Sequence, residues 1–200
     1  MGAGHGDKDQ VPWIMRDSSW SRVGLGVAAV LFALVPVVRR RASRATLLAY
    51  LQLPIYMIHL YEEHRHGGFK RELNALVPPT VGHLGDRTNF LIHVPIVWGI
   101  HVAVTTIAAT IAPVVGLFAP YLAVVNAMVH LVTALGKRRY NAGLGTALVL
   151  FFPIGLYNIR AIGRATGATP RVHLAAASMG IGGQLLVVAL LLLGRRRPQS

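Results

Sequence analysis

Residues 56–69 read YMIHLYEEHRHGGF, the end of an apolar run that begins at Thr46, and they crowd histidines and glutamates onto a segment otherwise suited to lipid. Ionisable side chains are costly at membrane depth and mark functional sites when they occur there. The reading of this run therefore decides both the fold and the place to look for chemistry. Five more runs surround it, at 23–38, 89–112, 114–135, 143–157 and 173–193. Each is near the roughly 20 residues that cross a hydrocarbon core, with 46–60 and 143–157 on the short side. The runs are continuous and lack the period-two alternation of a membrane barrel. With 54% hydrophobic and 14% charged residues, the composition is that of an all-α, polytopic membrane helix bundle of about six transmembrane helices.

One transmembrane domain, 23–194, is expected between a polar N-terminal segment, 1–22, and a basic tail, 195–200. The polar start carries no signal-peptide pattern, so the first run is expected to be retained as a span. Pro36, Pro54, Pro95, Pro113, Pro120 and Pro153 lie in or beside the runs, where kinks are expected. The uncharged stretch 112–116 makes a tight hairpin of the third and fourth runs. The long connection 62–88 is expected to hold a short amphipathic helix at 69–76, broken by Pro78-Pro79.

The net charge of +13 sits in short clusters between apolar runs, which is how topology signals are distributed, so a nucleic-acid partner is not expected. With six alternating spans, the clusters around Arg16, Lys70, Lys137 and Arg196 face one side. They outweigh those around Arg40 and Arg164 on the other, which places both termini in the cytoplasm. There is no cysteine, so a metal would need His, Asp, Glu or Asn.

On a helix, His59, Glu62 and Glu63 project from one side, with Tyr56 and Gln52 a turn or two above them. Asn89 and His93 form an i, i+4 pair at the start of the third run, Asn126 and His130 another near the end of the fourth, and Tyr140 and Asn141 open the fifth. Alternating spans bring these four run ends to one side of the membrane, where a shared polar cavity is expected. His101, deeper in the third run, reads as a packing residue with a lesser claim on the site. His5, His64, His66 and His83 read as solvated, and the end 64–66 as the wet terminus of the helix.

The segment His59-Leu60-Tyr61-Glu62-Glu63 resembles the defining motif of the HXXEE family of small bacterial membrane proteins. Gly67-Gly68-Phe69, the Asn126/His130 pair and the stretch Arg139-Tyr140-Asn141-Ala142-Gly143 are similar to that family's later signatures, with Ala142 standing where proline is expected. The resemblance covers 59–143. It implies a bacterial cytoplasmic-membrane protein and supports the site, and it carries no general activity.

Three chemistries use these residues. His59, Glu63 and His130 can form a two-histidine, one-carboxylate triad for a divalent metal such as iron or zinc, with Glu62 as a further ligand, base or partner of His59 and with Asn126 and Asn141 orienting groups around it. Without a metal, mutual repulsion of Glu62 and Glu63 would keep one protonated, giving a general acid for an isomerase or cyclase like the sterol isomerases, with Trp98, Tyr56 and Tyr61 facing a cation. A small proton-coupled or metal transporter is the non-enzyme alternative, though no inverted repeat supports it. The leading expectation is a membrane enzyme whose partners are membrane lipids and a lipophilic, lipid- or terpenoid-like substrate.

Overall fold

The computed structural model describes residues 11–195, which contain helices and no strand. Residues 1–10, His5 among them, and 196–200 lie outside the described residues. Eight helices follow one another: α1 Asp17–Ala33, α2 Val35–Arg41, α3 Arg44–His64, α4 Gly68–Asn74, α5 Asp86–Thr110, α6 Pro113–Lys137, α7 Leu144–Thr166 and α8 Pro170–Leu193.

Four of these, α5 to α8, are long and apolar enough to cross a membrane, and α1 with α2 makes a fifth if taken as one span bent by 48°. The bend falls at Leu34, just ahead of Pro36, whose missing N–H and bulky ring interrupt the preceding turn. The architecture fits a membrane protein. The expected sixth span is a helix of 21 residues, α3, but it does not meet the same apolarity. Its position explains why. α3 runs through the middle of the bundle against α1, α5, α6 and α7, and Gln52, Tyr56, His59 and Glu63 are all buried. A helix wrapped by protein has no lipid face to satisfy. The outer helix α8 is the converse, leaving Leu174, Leu185 and Leu193 exposed.

Small residues allow the close approaches. A Cβ on Gly180 of α8 would lie 3.0 Å from the Leu122 backbone nitrogen of α6, and one on Gly116 would lie 2.9 Å from the Ala49 Cβ of α3. The hairpin expected at 112–116 is made by a 3-10 turn, Pro113–Leu117, that forms the start of α6. At that end Thr46 donates to the Ala108 carbonyl at 3.0 Å, and Ser43 caps α3 by accepting from the Thr46 N–H at 3.1 Å. Pro54 leaves α3 unbroken.

Two helices widen into π-type turns beside the far end of α3, at Ile92–Trp98 in α5 and Ala147–Phe151 in α7. Pro95 lies in the first and Pro153 just beyond the second, and each removes a donor from the regular ladder. The connection after α3 folds back over this end. Gly67 takes a left-handed conformation (φ 63°), and α4 follows, close to the helix expected at 69–76. Asn74 then accepts from the Leu84 N–H at 2.8 Å.

Two expected boundaries move. α1 begins well before residue 23, and Trp20, assigned to the polar segment, is among the most buried residues. Arg195, assigned to the tail, is buried and donates to the carbonyls of Leu73 at 2.9 Å and Gly82 at 3.2 Å. Both depart from the sequence reading because their partners are remote in the chain.

Candidate functional site

The last two turns of α3 place His59 and Glu63 at i, i+4, so both project toward α6 and the loop that precedes α7. Glu63 is the centre of the arrangement. Its Oε1 lies 3.2 Å from His130 Nε2 of α6, and its Oε2 lies 3.6 Å from both His59 Nε2 and His64 Nε2. All four side chains are buried. Donors on a tetrahedral ion at zinc-like bond lengths stand roughly 3.3 Å apart, so these separations could hold a metal ion.

Hydrogen bonds fix how the imidazoles present themselves. His130 Nδ1 lies 2.7 Å from Asn141 Oδ1, while Asn141 Nδ2 donates to the His130 carbonyl at 2.8 Å. The second bond sets the amide, so its oxygen can only accept and His130 Nδ1 carries the hydrogen. His59 Nδ1 lies 2.8 Å from Thr146 Oγ1. The Thr146 hydroxyl donates to Glu62 Oε2, so it accepts from His59 Nδ1–H. Both rings therefore turn Nε2 toward Glu63, and His59 Nε2 is a fully buried atom without a hydrogen-bond partner. A cation shared by the two Nε2 atoms and the carboxylate would satisfy all three. The acceptors behind the rings are the outer partners that metal-binding histidines use.

Glu62 has a different task from its neighbour. Its carboxylate accepts from the backbone N–H groups of Gly145 at 3.0 Å and Thr146 at 2.6 Å, and from the hydroxyls of Thr146 and Tyr140. The expected repulsion between Glu62 and Glu63 does not arise, because successive helix positions aim the two groups at different partners. Glu62 caps the start of α7 and meets donors only, whereas Glu63 meets imidazoles. Tyr140 lies in the loop before α7. Partial burial and the bond to Glu62 push its hydroxyl above its ordinary pKa, so it remains a donor.

A glycine closes the site from above. Gly143 adopts φ 95°, and a Cβ there would lie 2.6 Å from Glu63 Cγ, 2.8 Å from His130 Cε1 and 2.9 Å from His59 Cε1. Only a residue without a side chain lets this backbone cover all three.

A cavity of about 140 Å³ opens beside the cluster. Glu63, Glu72, His93, His130, Asn126, Lys137, Asn141 and Tyr56 are on its polar wall, and Phe69 and Leu73 of α4, Leu76 just beyond it, and Val187, Val188 and Leu191 of α8 form its apolar one. Asn126 donates to Gln184 of α8 at 3.4 Å, and its Oδ1 has no partner.

The structure thus gathers His59, Glu62, Glu63, His130, Tyr140 and Asn141 into one cluster, two hydrogen-bonded networks that meet at Glu63. Tyr56, Asn126 and His93 lie on the cavity wall beside it. Asn89 sits behind the cluster, its side-chain amide 3.0 Å from His64 Nδ1 and its carbonyl 2.9 Å from His93 Nδ1. His64 is a correction to the sequence reading. It is fully buried, with its ring 4.6 Å from Trp20, 4.9 Å from Phe69 and 4.8 Å from His93, because α1 and α4 close over the end of α3. Arg65, His66 and His83 are exposed as expected. His101 is buried against the Tyr56 ring, outside the cluster. Of the three rings expected to face a cation, only Tyr56 lines the cavity. Trp98 packs on Trp20, and Tyr61 lies under the Arg65 guanidinium.

Sequence reasoning missed Thr146, Gln184 and Trp20, and it quoted Gly143 only within the 139–143 stretch. A threonine, a glutamine and a tryptophan in apolar surroundings carry no spacing signal. Their roles come from helices brought together by the fold.

Fold and site together define a bundle of apolar helices enclosing a buried histidine and glutamate cluster under a glycine-containing loop. A family model described as a protein of unknown function with HXXEE motif matches residues 50–158, and the chain belongs to that family. The matched span takes in His59, Glu62, Glu63, His130, Asn141, Gly143 and Thr146. No curated protein and no solved structure matches the chain.

Proposed function

We propose that this protein is an integral membrane enzyme in which His59, Glu63 and His130 hold a divalent metal, iron or zinc, for a reaction on a lipophilic substrate. The observation that carries the reading is the pair of imidazoles whose Nδ1 hydrogens are taken by Thr146 and Asn141 and whose Nε2 atoms converge on Glu63 at 3.2 and 3.6 Å. Two histidines and a carboxylate leave positions open, as catalytic zinc and non-haem iron sites do. Bound there, the metal supplies Lewis acidity or an activated water.

The rest belongs to the chain's own residues. Glu62 and Thr146 hold the His59 ring, Asn141 holds the His130 ring, and Gly143 shields the set from above. The cavity compares with the roughly 150 Å³ that accommodates benzene, so it takes one short apolar segment of a lipid- or terpenoid-like molecule. α3 crosses the membrane as a sixth, protein-wrapped span, and the basic clusters place both termini in the cytoplasm. The metal-free general-acid reading loses support because Glu62 is engaged by donors on every side.

Elemental analysis of detergent-purified protein tests the metal. At least about one equivalent of iron or zinc per chain is expected in the wild type, with loss in His59→Ala and Glu63→Ala. Wild-type protein that takes up neither metal on reconstitution refutes the reading.

A further inference from the structure

We infer that Glu63 bridges two metal positions, the second formed with His64 and His93. This rests on the metal reading of the site and goes beyond its single triad. Among the described residues, two groups have ligand atoms within 4.8 Å of one another, His59-Glu63-His130 and Glu63-His64-His93, and every member is buried. The groups share Glu63 alone. A carboxylate has two oxygens, and here Oε1 faces His130 of the first set while Oε2 stands between the sets, 3.6 Å from both His59 Nε2 and His64 Nε2. One bridging carboxylate spans two ions roughly 3.5–4 Å apart.

The second set is prepared as the first is. His93 Nδ1 donates to the Asn89 carbonyl, one turn back on its own helix, at 2.9 Å, which leaves Nε2 as the ligating atom. The π-type turn at Ile92–Trp98 begins one residue before His93 and sets its position on α5. His64 Nδ1 lies 3.0 Å from the side-chain amide of Asn89. The nearer atom is the amide nitrogen, and turning the amide so that its oxygen accepts from Nδ1–H would present His64 Nε2 as a ligand. Trp20, stacked at 5.7 Å on His93 and packed on His64, shields this side, as Gly143 does the other. Glu63, His93 and His130 all line the cavity, so both positions open onto it. Two divalent ions exceed the charge of Glu63. Glu62 behind Thr146 supplies further negative charge at this end, while Glu72 and Lys137 on the cavity wall offset one another.

The ligand is a divalent transition-metal ion that accepts imidazole nitrogen, such as zinc, iron or cobalt. Full-length protein in detergent is stripped with chelator, reloaded with Zn(II) alone and, separately, Co(II) alone, dialysed and measured by elemental analysis. About two equivalents are expected in the wild type, about one in His93→Ala and about one in His130→Ala. If His93→Ala does not fold, His93→Asn replaces it. A wild type with about one equivalent, kept in the His93 variant and lost in His59→Ala, overturns the second position and leaves the triad standing. A wild type with none overturns both.

Discussion

Replacing Thr146 by valine preserves shape and removes one hydroxyl, which here has two jobs. It accepts from His59 Nδ1 at 2.8 Å and donates to Glu62. Glu62 keeps the Gly145 and Thr146 backbone donors and Tyr140, so the start of α7 stays capped. The loss falls on His59, whose Nδ1–H is left buried without an acceptor, at a cost of about 1–3 kcal/mol. Freed from that bond, the ring no longer presents Nε2 to Glu63 in a fixed orientation. Removing such an outer partner weakens a metal site about 10- to 100-fold, or about 1.4–2.8 kcal/mol. Zn(II) affinity measured by competition with a chromophoric chelator is expected to fall by that factor in Thr146→Val and to be retained in Thr146→Ser. Thr146→Val protein that binds zinc as tightly as the wild type while losing thermal stability would show that the hydroxyl serves packing alone.

Gly143→Ala is expected to be more damaging than its size suggests. The left-handed backbone and the 2.6 Å approach to Glu63 Cγ combine strain with overpacking, for about 2–4 kcal/mol, read as a lower thermal midpoint and loss of bound metal. Arg195→Ala removes charged hydrogen bonds to the Leu73 and Gly82 carbonyls, at about 1.5–3 kcal/mol. Because those bonds tie the end of α8 to α4 and its loop, faster amide exchange is expected across α4, with metal content unchanged.

The sequence by itself determined the helical class, the apolar runs and the convergence of His59, Glu63, His130, Asn141 and Tyr140 on one end, because all of these follow from local periodicity and from the alternation of run ends. Lipid demands a continuous apolar stretch, and an i, i+4 spacing fixes a face, so both are written along the chain. The tertiary structure alone decided which groups share an environment. It separated Glu62 from Glu63, although they are adjacent, since each found partners on different segments. It took His64 out of solvent by laying Trp20 and Phe69 over it, and it showed that α3 can be polar because its polar face, with Gln52, His59 and Glu63, is buried against other helices. It also brought Thr146, Gly143 and Gln184 to a site that their own neighbours in sequence do not announce. Burial and hydrogen bonding depend on what packs against a residue, and that is a property of remote segments meeting in space.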